Sequence, residues 1–247
     1  MRAAFLTSGL LALVVLLSAS VTDAQWTADI AWNSCAGTSG PEGPAARNVD
    51  WGGPKTYKLY LSAKGLTVQS GYRVYSHQVD LRIGPNVPDA WRFDEQGCMP
   101  NNFSQISLNS LGTSSCPGLR SGSEVPVAGW FHDLATGEAR FSAATAYPNG
   151  RIPNSGTNYL LWEISFAMSA AAGPGDPGPC GGADKAQAFE ITQASVWAGP
   201  SSLSTFREDG NIQTTFVTFN DPQGKLSGPG GGTVEEGTWG RVKGMYR

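Results

Sequence analysis

The sequence predicts an all-β fold, a single β-sandwich or jelly roll of about nine antiparallel strands joined by disulfides. Apolar and polar residues alternate along several segments, and clusters of Gly, Pro, Asn and Asp separate these segments. The 247 residues include 32 Gly and 16 Pro, and after residue 24 no segment of ten or more residues repeats apolar positions at helical spacing. A hydrophobic content of 40% supplies enough apolar surface for a core and excludes disorder along the whole chain.

Four segments carry the clearest strand pattern. Along Arg73–Ile83, large and mostly apolar side chains occupy every second position, and polar side chains lie between them. The segments Thr56–Leu66 and Tyr159–Met168 alternate similarly, while Ile212–Phe219 is rich in β-branched and aromatic residues. A period of two indicates strands with one buried and one solvated face, as in antiparallel sheets. The residues predicted to face the core are Tyr57, Leu59, Leu61, Tyr75, His77, Val79, Leu81, Ile83, Leu160, Trp162, Ile164, Phe166 and Met168.

Shorter segments with less regular alternation predict the remaining strands. Most of them are bordered by residues that favour turns between short strands. These segments are Trp26–Asn33, Trp91–Phe93, Phe103–Leu108, Val125–Leu134, Arg140–Ala146 and Ala188–Trp197.

The first 24 residues have the layout of a secretory signal peptide. A positive charge at Arg2 precedes the apolar run Leu10–Leu17, and the small residues that follow end in Thr22-Asp23-Ala24. An uncleaved anchor is the alternative interpretation of this segment. No later segment approaches the length of a membrane span, so we expect an exported chain that is extracellular, on the cell surface or in the periplasm.

The exported chain divides into one domain, a linker and a tail. We expect a β-sandwich over residues 25–220, a flexible Gly/Pro-rich linker over residues 221–237, and a short tail over residues 238–247. The tail combines aromatic residues with basic ones, which suits docking on a cell surface or a partner protein. Packing on its own domain and fraying are the alternatives.

Four cysteines in an exported chain predict two disulfides. The short polar segment between Cys98 and Cys116 favours that pair, which leaves Cys35 to bond Cys180, although four cysteines allow three pairings. A zinc site is the alternative, but the chain has only two histidines and no C-x-x-C pair.

Charge and motifs give little support to nucleic-acid binding or catalysis. The net charge of −3 lacks the basic excess that nucleic-acid binding requires. The G-x-S-x-G motif of serine hydrolases is absent. His77 sits mid-strand on the apolar face and is interpreted as a core residue, and His132 and Asp133 would point to opposite faces of a strand. The carboxylates available to a glycan-active enzyme are Asp80, Asp89, Asp94, Glu95, Asp133, Glu163 and Glu190.

Two weaker binding hypotheses rest on acidic and aromatic residues. Asp89, Asp94 and Glu95 cluster in sequence and offer oxygen ligands to calcium, but no calcium-loop motif is present, so turn capping is the alternative and no cofactor is expected. Eight tryptophans are many for a chain of this length. Trp26, Trp32 and Trp51 lie in or beside Gly/Pro-rich segments, where exposed indole rings would stack on sugars. Core packing is the alternative.

The runs YKLYLSAKGL and SHQVDLRIGPNVPDAWRF, within Tyr57–Phe93, resemble the opening hairpin of cohesin-type modules. Those modules are extracellular bacterial jelly rolls that bind partner proteins, and their relatives include carbohydrate-binding β-sandwiches. The resemblance implies a β-sandwich and carries over no functional residue. We therefore expect a non-catalytic module for protein–protein recognition or surface structure. A carbohydrate-binding module using the loop tryptophans is the alternative, with a polysaccharide as partner, and an enzyme is less favoured.

Overall fold

The computed structural model describes residues 26–221 together with Leu226. Positions 42, 96, 99–104, 114–115, 120–124, 134, 174–179, 201–205 and 214–215 are not described. The predicted signal peptide, nearly all of the linker and the tail lie outside the described residues. Within those residues, no helix is long and apolar enough to span a membrane.

Sixteen strands and one short 3-10 helix, Asp89–Trp91, lie within the described residues. Seven of the strands have six or more residues, and the other nine have two to four. The strands are β1 (Thr27–Trp32), β2 (Ser39–Gly40), β3 (Gly43–Pro44), β4 (Asn48–Val49), β5 (Thr56–Lys64), β6 (Arg73–Gly84), β7 (Ile106–Asn109), β8 (Val125–Asp133), β9 (Glu138–Arg151), β10 (Asn158–Ala167), β11 (Ala171–Ala172), β12 (Cys180–Gly181), β13 (Gln187–Gly199), β14 (Phe206–Asp209), β15 (Asn211–Ile212) and β16 (Phe216–Phe219).

Two sheets form the sandwich. The five-stranded sheet has the order β15-β1-β5-β10-β7, and the seven-stranded sheet has the order β4-β16-β13-β6-β9-β8, with β14 also paired to β13. All pairings between the long strands are antiparallel, while β15 and β4 join their neighbours in parallel. The predicted all-β sandwich is therefore confirmed. Its strands bury alternate side chains between the sheets because successive residues of a strand point to opposite faces.

Aromatic rings from both sheets meet in the core. Trp32 of the five-stranded sheet contacts Phe189 of the seven-stranded sheet edge to face, with ring centroids 5.2 Å apart. The 3-10 helix inserts Trp91 between the sheets, 4.8 Å from Phe219 and 5.4 Å from Phe166. Such edge-to-face pairs stabilise a core beyond the area that they bury, because the positive ring edge meets a negative ring face.

Two predicted strands differ from the structure. Trp91 ends a 3-10 helix rather than starting a strand, because burial between the sheets requires the chain to turn there. The predicted strand Ile212–Phe219 is divided between the sheets. Ile212 pairs with β1, whereas Phe219 pairs with β13, so the chain crosses from one sheet to the other.

A β-bulge in β10 changes the side on which one predicted core residue lies. Leu160 pairs with Ser62 and Trp162 pairs with Leu61, so Leu161 is an extra residue between them. Leu160 consequently packs with Tyr60 on the outer side of the five-stranded sheet. Its expected place in the core between the sheets is taken by Leu161 and Trp162.

The four cysteines form two disulfides, but the favoured pairing is wrong. Cys35 bonds Cys116, and Cys98 bonds Cys180, with Cα–Cα distances of 6.3 and 5.5 Å. Closeness in sequence misled the prediction because the fold separates Cys98 from Cys116. The segment around Cys116 is held against β10, where the amide of Leu160 donates to the Pro117 carbonyl, and its disulfide covers the outer side of the five-stranded sheet. Cys98 lies beside the 3-10 helix, with its disulfide-bonded Sγ 3.5 Å from the Asp89 carbonyl oxygen.

Candidate functional site

The predicted sugar-stacking tryptophans do not form an exposed platform. Trp26 and Trp32 are 1% and 0% exposed, so the expectation that they lie on surface loops is wrong. Trp32 ends β1 on the core face, and its Nε1 donates to the Thr218 carbonyl at 2.8 Å. Trp51 is half-buried and stacks on Tyr57 with ring centroids 5.7 Å apart. Core packing therefore accounts for the two buried indoles.

The suggested calcium ligands surround an arginine. Arg92 donates to both carboxylate oxygens of Asp94, at 3.0 and 3.4 Å, and lies 3.9 Å from Asp89. Glu95 is exposed. Within the described part of the chain, no three His, Cys, Asp or Glu side chains are close enough to hold a metal ion together. The arrangement is that of an ion-pair cluster that fastens the loop after the 3-10 helix.

His77 is a buried core residue, as predicted. Its Nε2 lies 2.9 Å from the Leu161 carbonyl of the opposite sheet, and its ring centroid is 5.0 Å from that of Trp162. Burial lowers the pKa of His77 from 6.5 to about 4, against a smaller opposing effect of the hydrogen bond to Leu161. The ring therefore stays neutral at neutral pH and donates its Nε2 proton to the carbonyl.

His132 and Asp133 point to opposite faces of β8, as predicted. His132 lies on the inner side with its Nδ1 3.9 Å from Asp94 Oδ2, whereas Asp133 is exposed at the end of the strand. The pKa of Asp133 is lowered, chiefly because the amide of Ala135 donates to its carboxylate. These two residues do not form a catalytic dyad.

Most of the carboxylates considered for glycan chemistry are engaged in structural contacts. Glu190 accepts from Arg82, and Glu163 lies 3.6 Å from Lys58. The alternation along Tyr159–Met168 predicts that Glu163 lies on the solvated face of its strand, and this prediction is wrong. Glu163 is only 9% exposed, because the Cys35–Cys116 disulfide covers the outer side of the five-stranded sheet. The carboxylates held by a hydrogen bond or ion pair are Asp80, Asp89, Asp94, Asp133, Glu163 and Glu190.

The outer face of the seven-stranded sheet carries an ordered set of polar side chains. Gln78 donates to both carboxylate oxygens of Asp80 at 3.0 Å, and the Ser142 hydroxyl donates to the same carboxylate at 2.5 Å. Two residues further along β6, Arg82 donates to Glu190 of β13 at 2.5 and 3.0 Å. These contacts join three strands and hold the polar side chains in fixed positions.

An exposed apolar stripe borders this polar face on the edge strand β8. Val127 and Phe131 are 65% and 67% exposed and point to the same side, with Gly129 between them. A Cβ at Gly129 would lie 3.0 Å from Cε2 of Phe131, so the phenyl ring extends over the glycine towards Val127. We call Val127, Gly129 and Phe131 the β8 stripe.

A shallow groove of about 330 Å³ continues the β8 stripe across the sheet. The small side chains of Ala144, Ala146 and Ser76 make its floor, because they bring the sheet surface close to the backbone. Trp197 borders the groove, and the Arg207 guanidinium lies 5.6 Å from its ring.

Sequence reasoning missed this surface. It interpreted Val125–Leu134 and Ala188–Trp197 only as less regular strands. The available signal was the segment VPVAGWFHD, which has apolar residues on both faces. A half-solvated edge strand needs such residues on only one face.

Comparisons with known proteins match the chain to solved structures. No family model and no curated protein matches the chain. The matching solved structures include the cohesin module of a family 33 glycoside hydrolase from Clostridium perfringens, which is 13% identical, with 80% of this chain and 98% of that chain covered and a TM-score of 0.39.

Two further matches are modules of the same class. The second type II cohesin module of the adaptor scaffoldin of Acetivibrio cellulolyticus is 11% identical, covers 80% of this chain and 97% of its own length, and has a TM-score of 0.37. A chain of a type I cohesin–dockerin complex from Clostridium thermocellum is 9% identical, with coverages of 79% and 94% and a TM-score of 0.31. The resemblance predicted from Tyr57–Phe93 is to these modules and is confirmed.

Proposed function

We propose that this protein is a non-catalytic, secreted β-sandwich module that recognises another protein through the outer face of its seven-stranded sheet. The observation that carries the proposal is the β8 stripe, which leaves Val127 and Phe131 about two-thirds exposed beside a fixed polar surface. Large apolar side chains that are exposed together and bordered by polar groups are typical of protein interaction sites.

The polar face suits the same role. A partner that binds there meets side chains already held by hydrogen bonds, such as Asp80 and Arg82, so less conformational entropy is lost on association. The groove beside Val127 is shallow, which suits a partner side chain rather than an enclosed small molecule. An aromatic residue such as Phe131 at the centre of such a contact contributes a large share of the binding free energy.

Two features support secretion and the absence of catalysis. Two disulfides are typical of proteins in an oxidising compartment outside the cytoplasm. Glycoside hydrolysis requires two free carboxyl groups that face each other. Asp94, Glu163 and Glu190 are instead each held in an ion pair. The burial of Trp26 and Trp32 removes two of the three indoles on which the carbohydrate-binding alternative depended.

The proposal is tested by immobilising the exported full chain and measuring which secreted proteins it retains. Secreted proteins of the source organism are passed over the wild type, a Val127→Lys/Phe131→Lys double variant and an Ile152→Lys control. Ile152 is also 60% exposed but follows the end of β9 farthest from Phe131, so it matches the chemistry of the change without touching the β8 stripe.

The wild type and the control are expected to retain the same protein, with affinity for the double variant lower by on the order of tenfold or more. Equal retention by all three chains would refute the proposal, as would saturable binding to cellulose, chitin, starch or peptidoglycan with no protein retained. Circular dichroism of each variant verifies that the sandwich is intact.

A further inference from the structure

Among the described strands, none pairs with the outer edge of the β8 backbone, which is called the free edge of β8. β8 is the last strand of the seven-stranded sheet, and within the described residues β9 is the only strand paired with it. The amide of Gly137 donates to the Asp133 carbonyl at 2.8 Å, which shows that Asp133 directs its backbone groups towards β9. Because this direction alternates along an antiparallel strand, Ala128, Trp130 and His132 direct theirs to the free edge.

Pro126 agrees with this assignment. Pro126 lies two residues before Ala128, so its backbone nitrogen also faces the free edge. Proline has no N–H group, and at this position its absence removes no hydrogen bond to β9. The amides of Ala128, Trp130 and His132 remain as donors in a row. A row of unpaired donors and acceptors is the template on which a further strand can pair.

The charges at one end of β8 indicate what that strand carries. Asp133 lies directly opposite Glu138 in the last register pair of the hairpin, and like charges in that position repel. The lowered pKa of Asp133 keeps its carboxylate charged. Among the described residues, Arg140 is the cation that lowers the pKa of Asp133, and it lies two residues along β9 from Glu138. A further positive charge would stabilise this end of the hairpin.

A second copy of this chain does not meet that requirement. Antiparallel pairing of β8 with its own copy would bring in the segment VPVAGWFHD, which contains no lysine or arginine. The occupant is therefore a different chain, chosen by charge complementarity.

We infer that the partner of the proposed recognition face binds as an added β-strand on the free edge of β8, with apolar side chains packed on Val127 and Phe131 and a basic residue beside the Asp133–Glu138 pair. Backbone hydrogen bonds to Ala128, Trp130 and His132 hold the added strand, and alternate side chains give it specificity. This inference rests on the proposed function and specifies how the partner docks.

The test uses random linear peptides displayed for selection on the exported full chain. Selected peptides are expected to combine alternating apolar residues with a lysine or arginine. Each amide of a synthetic selected peptide is then methylated in turn. Only alternate amides of the added strand face β8. Methylation of these amides is expected to weaken binding on the order of tenfold or more, and methylation of the amides that point away from β8 is expected to have little effect.

Variants of the protein locate the site. Phe131→Lys is expected to lose the peptide while Ile152→Lys keeps it, and Glu138→Lys is expected to select acidic peptides instead of basic ones. Amide exchange followed by NMR is expected to slow at Ala128, Trp130 and His132 when the wild-type chain binds the peptide.

Three results would overturn the inference. These are the selection of no peptide, a methylation pattern without period two, or dimerisation of the chain that Phe131→Lys abolishes. If a secreted partner is retained through the β8 stripe but amide exchange at the free edge is unchanged when it binds, the partner docks on the sheet face, and the proposed function stands without strand addition.

Discussion

Lowering the pH is expected to destabilise the protein through one buried histidine. His77 lies between the sheets, where it is fully buried and its Nε2 donates to the Leu161 carbonyl of β10. Its pKa of about 4 in the folded state lies below the value of 6.5 for an exposed histidine. The unfolded chain therefore binds a proton at a pH where the folded chain does not, and stability falls as the pH falls.

The size of the effect follows from the two pKa values. Above about pH 6.5 the ring is neutral in both states, so the full stability is present. The loss grows to about 2 kcal/mol at pH 5 and about 3 kcal/mol at pH 4, where the folded ring begins to accept a proton. Such a change is a large fraction of the stability of an ordinary domain.

Urea unfolding followed by tryptophan fluorescence at several pH values between 7 and 4 measures this loss. His77→Gln keeps a donor for the Leu161 carbonyl but does not titrate, so its stability is expected to change much less over this range. His132→Gln is the matched control because it replaces the other of the two histidines in the chain. Equal slopes in the wild type and His77→Gln would refute the reasoning, because carboxylates would then be the cause.

Two further predictions concern stability. Trp32→Ala is expected to cost about 3–5 kcal/mol because it empties a core site and removes the hydrogen bond to the Thr218 carbonyl, whereas Trp51→Ala, at a half-buried position, costs less; equal urea midpoints would contradict this order. Replacing both Cys35 and Cys116 by serine opens a loop with a sequence separation of 81, for which chain entropy predicts a loss of about 4.5 kcal/mol. Thermal unfolding against the wild type measures that loss, and an unchanged midpoint would contradict it.

Local alternation predicted most of the fold because a half-buried strand has an apolar side chain at every second residue. The pattern along Arg73–Ile83 identified β6 and the burial of His77. It placed Leu160 on the wrong side, since one extra residue in a bulge reverses the alternation. It also joined Ile212 to Phe219, because nothing local marks where a chain leaves one sheet for the other.

The candidate site was less predictable than the fold. Val127 and Phe131 lie on the outer face of the last strand of their sheet, and strand order is a property of long-range pairing. The same limit affected the tryptophans. Trp26 and Trp32 lie near Gly/Pro-rich sequence, yet pairing of β1 with β5 carries both indoles into the core.

The sequence by itself determined the all-β class, the presence of two disulfides and the core position of His77, because alternation, cysteine count and polarity are local or compositional properties. Only the tertiary structure decided which cysteines pair, which aromatic residues are buried and which strand has a free edge. Those features depend on distances between residues far apart in the chain, such as the 6.3 Å between the Cα atoms of Cys35 and Cys116. Such distances are set when the whole chain folds.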